Sequence, residues 1–159
     1  HMTAARWKHL RATSLVHALR LCKEYAQARR HLSVERIADR MGTTHDSLYK
    51  WLATGRMPAI VLPAFEQVCG AHYASDFLAA AAGRLVLAMP TGKQAGAADL
   101  LDVNSSWAQA LQLLTQFYAA PAQADPEATL AALRQHLEQV AYHHANVSAY
   151  QEPQLEFEA

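Results

Sequence analysis

The chain has 159 residues, room for one domain or for a small domain with an appended module. Hydrophobic residues make up 52% of it while glycine and proline stand at six each, which excludes global disorder and, with alanine and leucine so frequent, favours an all-α fold. The formal net charge is zero, yet eleven Lys and Arg face four Asp and Glu up to Ile60 (+7), and three face ten beyond it (−7), so a phosphate-facing first half is expected beside a second half with another task. His1-Met2 reads as a cloning remnant and is left out of the fold reading. No stretch approaches the roughly 18 apolar residues of a membrane span and no secretory signal is read, so a cytoplasmic protein is expected. Cys22 and Cys69 lie far apart without CxxC spacing, and buried free thiols are the expectation for them.

In chain order, Leu15, Leu19, Cys22 and Ala26 mark one face of a helix from Thr13 to His31, with Thr13 or Ser14 as its cap. Ser33 caps a second helix from Val34 to Met41, which Gly42 ends; Thr43 or Thr44 caps a third running to about Thr54, which Gly55 stops before Pro58. Leu62 to Val68 and Tyr73 to Leu87 read as a fourth and a fifth helix, separated by Gly70. A first domain over 3–88 follows, with a linker at 89–96 carried by Met89-Pro90-Thr91-Gly92. Beyond it Leu100, Val103, Trp107, Leu111, Leu114 and Tyr118 form a helical stripe. Asp125-Pro126-Glu127 then opens a last helix whose seam is Leu130, Leu133, Leu137, Val140, His144 and Val147. Pro153 is expected to end that helix, leaving 97–151 as a helical hairpin and 152–159 as an acidic tail.

The informative segment is Val34-Glu-Arg-Ile-Ala-Asp-Arg-Met-Gly-Thr-Thr-His-Asp-Ser-Leu-Tyr-Lys-Trp-Leu-Ala53. Two short helices that cross steeply need a small residue where they touch, and Ala38 fits that place. They also need a turn residue that tolerates positive φ, and Gly42 stands four residues on. Ile37, Met41, Leu48 and Trp51 supply a shared apolar face. This pattern resembles the lambda-repressor-like (Cro/C1, or XRE) helix-turn-helix family over about Leu15 to Leu78. Thr43 is a departure, since the family often places a β-branched apolar residue there; threonine keeps the shape.

The resemblance implies an all-α fold: an N-terminal five-helix lambda-repressor-like DNA-binding domain followed by a C-terminal helical hairpin. It implies a transcriptional regulator of phage or prophage type, with an architecture similar to that of phage CII-type regulators. Thr44, His45, Asp46, Tyr49 and Lys50 would then face base edges in the major groove. Arg29, Arg30, Arg36, Arg40 and Arg56 would meet phosphates, with Asp39 as a competing ion-pair partner for Arg36 and Arg40. Duplex DNA is the implied partner, and RNA polymerase a further one. One recognition helix reads only a few base pairs, so a homodimer is expected, held by Trp107, Leu111, Leu114, Leu133, Leu137 and Val140. Burial of those stripes within one chain, against Tyr73 to Leu87, is the competing structural reading.

No nucleophile elbow or phosphate-binding glycine loop supports catalysis, so no enzyme activity and no cofactor are expected. His136, His143 and His144 invite a metal reading, but they lack partner ligands, and a satisfied core histidine suits the seam position of His144 better. Two other function classes stay open. One is an antitoxin-like or adaptor module working through the acidic half; the other is a sensor with a ligand pocket between the last helices.

Overall fold

The computed structural model describes Trp7, residues 10–88 and residues 96–149. The linker expectation therefore lies outside the described residues except at Gly96, as do Pro153 and the acidic tail. Among the described residues the chain is all-helical, with seven α-helices and no strand. It divides into two compact units, His1–Val86 and Leu87–Ala159.

The first unit contains α1 (Leu15–Arg30), α2 (Val34–Met41), α3 (His45–Thr54), a 3₁₀ turn (Ala59–Val61), α4 (Leu62–Cys69) and α5 (Tyr73–Ala81). Side-chain caps start the first three: Ser14, Ser33 and Thr44 accept from the backbone N–H of His17, Arg36 and Ser47. Each such cap satisfies one of the orphan donors that every helix start exposes. Gly42, Gly55 and Gly70 end α2, α3 and α4 with φ of 71°, 73° and 74°, a region costly for any residue with a Cβ. At Gly55 a Cβ would also stand 2.7 Å from the Val16 side chain, so the close approach of α1 adds to the backbone requirement.

α5 is shorter than its apolar pattern suggests, ending at Ala81 instead of Leu87. Gly83 turns left-handed there at φ 70°. The N–H of Arg84 donates to Ala79 O and that of Gly83 to Ala80 O, a glycine stop in a run of alanines that could otherwise have continued.

The core is carried by Leu19, Cys22, Ile37, Leu48, Phe65 and Cys69, all fully buried. α1 packs against α3, α4 and α5, while α2 packs against α3 and α4. Both cysteines are free and buried. Burial pushes the Cys22 thiol up to about 12 and raises Cys69 as well, so neither is a thiolate at neutral pH.

One buried charge ties α4 to α5. Glu66 is 3% exposed, and its Oε1 accepts from the backbone N–H of both Ala74 and Ser75 at 2.9 Å. His72 precedes α5 without making a side-chain cap of its own, so the carboxylate of the preceding helix satisfies these two orphan donors.

The second unit contains α6 (Ala97–Ala119) and α7 (Pro126–Ala149), packed side by side and running in opposite directions. His136 of α7 meets Ser106 of α6 at 3.0 Å, while His143, further along, approaches the backbone oxygen of Asp99 at 3.4 Å. Asp99 Oδ2 accepts from the Gly96 N–H at the start of α6, and Asp125 Oδ1 from the Ala128 N–H at the start of α7. The buried residues described in this unit are small: Ser106, Ala110, Thr129 and Ala132. Val103, Leu113 and Phe117, at helical spacing from Ser106 and Ala110, are half-buried on the same face of α6. Trp107, Leu111, Leu137 and Val140 are exposed and Leu114 and Leu133 half-buried, so none is buried in the interior of this unit. His144, read from the sequence as a core histidine, is likewise exposed.

Candidate nucleic-acid interface

The corner between α2 and α3 is built from backbone bonds. The N–H of Thr43 donates to Ala38 O at 3.1 Å and that of Gly42 to Asp39 O at 3.2 Å, which satisfies carbonyls at the end of α2. Thr44 then opens α3: its Oγ1 accepts from the Ser47 N–H at 3.2 Å and donates to Ser47 Oγ at 2.7 Å. Ile37, Ala38 and Leu48 are fully buried beneath this corner, and Met41 and Trp51 pack partly against the same core. An alanine at position 38 lets the backbones of the two helices come together, where a larger side chain would hold them apart.

With that face buried, the opposite face of α3 is turned out. Thr44, His45, Asp46, Tyr49 and Lys50 are all exposed, as are Arg36, Arg40 and Arg56. The five positions expected to face bases thus share one surface, but they are not equivalent. His45 Nε2 lies 2.9 Å from Asp39 Oδ1, and the Tyr49 hydroxyl donates to Glu35 Oε1 at 2.6 Å. Both bonds run from α3 back to α2 and tie the two helices together, at the expense of one polar atom of each side chain. Among the described residues Asp46 and Lys50 make no such bond, and neither do the side chains of Arg36, Arg40 and Arg56. Asp39, expected to compete for Arg36 and Arg40, has His45 as its partner instead. Glu35, an acid in the first turn of α2, thus has a second role: its bond joins residues fourteen apart across the corner, a separation that no single-helix spacing rule covers.

Arg30 has a different place from the one expected. Its Nη1 donates to Gln67 O and Val68 O, both at 3.0 Å, closing the C-terminal end of α4. The guanidinium lies over Gly70, where a Cβ would collide with it. It thus serves the fold through carbonyls that need donors. Arg29 beside it is exposed.

The Tyr49–Glu35 bond has an electrostatic signature. It holds the Glu35 carboxyl down at about 2 from an ordinary 4.5, chiefly because the hydroxyl stabilises the charged form, and it raises the Tyr49 phenol for the same reason. A lowered carboxyl favours the fold above pH 4.5, and that contribution fades as acidification passes through about 2. The bridge is therefore intact at neutral pH. Tyr49→Phe is expected to bring Glu35 part of the way back to the ordinary carboxylate range in a side-chain carboxyl NMR titration. A midpoint that stayed at its wild-type value would show that other donors, such as Ser33, hold the carboxylate unaided.

Elsewhere in the first unit, a hollow of about 640 Å³ is lined by residues that include Arg30, Glu66, Gly70 and His72. Its two strongest polar groups, Arg30 and Glu66, are already engaged with backbone groups. Among the described residues no cluster of three His, Cys, Asp or Glu is placed to hold a metal, and no helix is long and apolar enough to cross a membrane. The chain matches no protein-family model, no curated protein and no solved structure.

Proposed function

We propose that this chain is a sequence-specific DNA-binding regulator of phage or prophage type, a five-helix lambda-repressor-like reader with a helical hairpin behind it. α3 enters the major groove of operator DNA from a cytoplasmic protein that uses no cofactor. The observation that carries this reading is the corner at Gly42. It buries Ala38 and Leu48 and leaves Asp46 and Lys50 exposed, as Arg36, Arg40 and Arg56 are. Lys50 suits guanine O6 and N7, and Asp46 suits the N4 amine of cytosine. His45 keeps Nδ1 for a base edge while Nε2 is held by Asp39. Tyr49, with its hydroxyl on Glu35, contributes its ring and its shape more than a hydrogen bond. The arginines supply the phosphate contacts that position the helix, and Arg30 drops out of that set because its guanidinium is occupied.

Selection of bound sequences from a random duplex pool at low salt tests the proposal. Enrichment of a defined motif is expected, with binding that weakens steeply as salt rises. A pool that remains unenriched after repeated rounds would remove the DNA-reading assignment.

A further inference from the structure

We infer that Asp46 and Lys50 together read one C·G base pair, and that a methyl group on the exocyclic amine of its cytosine loosens the protein's hold on its site. The inference rests on the DNA-reading proposal and adds the chemical mark that would control it.

Three carboxylates stand at the corner of α2 and α3: Glu35, Asp39 and Asp46. DNA is a polyanion, so each of them opposes binding unless its charge is matched. Two are engaged within the protein. Glu35 Oε1 accepts from the Tyr49 hydroxyl at 2.6 Å, and Asp39 Oδ1 lies 2.9 Å from His45 Nε2. Asp46 is exposed, and its side chain makes no hydrogen bond or ion pair among the described residues. It is the second residue of α3, where a negative charge suits the helix start in the free protein. Against phosphate that same charge only repels. On a helix lying in the major groove it is matched by a base-edge donor alone, the N4 amine of cytosine or the N6 amine of adenine. The amine of adenine is flanked by N7 of its own ring, an acceptor that repels a carboxylate. The amine of cytosine has only C5–H beside it, so cytosine is the base that fits.

Lys50 selects the same pair. It stands four residues on from Asp46, about 40° round the helix and about 6 Å along it. Both lie across the helix from the fully buried Leu48, about 200° and 160° away from it. Asp before Lys at this spacing is the favourable order for an ion pair, yet the two do not bridge and both stay exposed. A C·G pair presents a donor on cytosine and, next to it, the O6 and N7 acceptors of guanine. An acid and a base one turn apart match that donor and those acceptors in one step.

The same geometry makes the contact sensitive to methylation. In the duplex one N4 hydrogen of cytosine is taken up by guanine O6, and the other faces the major groove. N4-methylcytosine keeps the paired hydrogen and places the methyl group where the groove-facing one stood. Asp46 then meets a methyl group and is left desolvated without a donor. 5-Methylcytosine keeps both amine hydrogens and so keeps the donor.

The test uses the duplex enriched by selection, with each cytosine replaced in turn by N4-methylcytosine or by 5-methylcytosine, and fluorescence anisotropy of the full-length protein. At one C·G pair the N4 mark should weaken binding about ten- to a hundredfold, and the C5 mark less than about threefold. Asp46→Ala, a change at an exposed position, should bind the N4-marked and unmarked duplexes within about twofold of each other and accept other bases at that pair. Lys50→Ala should relax the choice at that same pair. An enriched duplex that tolerates the N4 mark at every cytosine would overturn the inference. So would a loss that persists undiminished in Asp46→Ala, a C5 mark that is equally damaging, or Lys50→Ala relaxing a different pair. In each of these cases the DNA-reading proposal stands, because a duplex was enriched. A pool that never enriches removes that proposal and this inference with it.

Discussion

Glu66→Ala should cost the first unit about 3 kcal/mol of stability, since hydrogen bonds to charged groups are worth about 1.5–3 kcal/mol and stranded buried donors about 1–3. The carboxylate is 3% exposed and accepts two backbone N–H groups at the start of α5, one of them on the fully buried Ala74. Truncation strands both donors, removes a negative charge from the positive end of a helix and leaves a void under α4. Relief of the desolvation cost of the buried charge offsets part of this, which is why the expected loss is not larger. For a unit of this size the thermal midpoint should fall by roughly 10–25 °C. Glu66→Gln keeps an acceptor oxygen and should cost about half as much. Amide hydrogen exchange gives the local readout: Ala74 and Ser75 should lose protection in the alanine variant before the centre of α1 does. A melting curve and exchange rates that match wild type would show that the two N–H groups find other partners, and that Glu66 does not hold α5 in place.

That buried carboxylate marks the limit of what the sequence discloses. Caps are local events, so Ser33, Gly42 and Gly55 could be placed from their neighbours alone, and the cap of α3 narrowed to Thr43 or Thr44, of which the structure uses Thr44. The apolar positions Ile37, Leu48 and Cys22 are legible for the same reason, because helical period fixes which of them share a face. The end of α5 is a different matter. Ala79 to Ala82 are strong helix formers, and propensity read alone carried the helix past the point where Gly83 stops it. Glu66, Arg30 and Glu35 act on groups 8, 37 and 14 residues away. Charge counting places all three at the surface; only the packed fold shows that two of them satisfy helix ends and the third ties α3 to α2. The exposed face of the second unit was half legible. Its stripes were visible as period, but that Ser106, Ala110, Thr129 and Ala132 would be the buried positions, and Trp107, Leu111 and Leu137 exposed ones, depends on how the two helices pack.

The bracing of α3 bears on how the proposed reader would work. A recognition helix that must be ordered on binding loses affinity to that ordering, whereas one already fixed does not. Here Tyr49 and His45 fasten α3 to α2 through two exposed bonds, and Leu48 fastens it from beneath. The side chains left for DNA are then few and are carried on a rigid frame: Asp46 and Lys50 on the helix, Arg36 and Arg40 on its neighbour, and Arg56 just past its end, where its backbone N–H donates to Thr54 Oγ1.

On that frame two kinds of variant should behave differently toward one enriched duplex. Lys50→Ala removes a contact to a base edge. It should weaken the preferred duplex by about 1–3 kcal/mol, roughly ten- to a hundredfold, relax the choice at one base pair, and leave binding to unrelated duplexes nearly unchanged. Replacing Arg36, Arg40 and Arg56 together with alanine removes contacts that carry no sequence information. Binding should drop on the order of 100-fold on every duplex alike, with the same preferred motif. Each phosphate contact contributes about 0.9 to the slope of log affinity against log salt, so the triple variant should flatten that slope by about 2.7 while Lys50→Ala changes it little. Fluorescence anisotropy on the preferred duplex and a scrambled one, at three or four salt concentrations, separates these patterns. If Lys50→Ala instead weakens all duplexes equally, the lysine is one more phosphate contact, and the base-reading role passes to Asp46 and the free Nδ1 of His45. If the arginine triple alters the motif, then α2 lies in the groove and the orientation proposed for α3 is wrong. The Gly42 corner makes the first pattern the expected one, because it leaves Lys50 exposed in the middle of α3, while Arg36 and Arg40 are carried on α2 and Arg56 follows the end of α3.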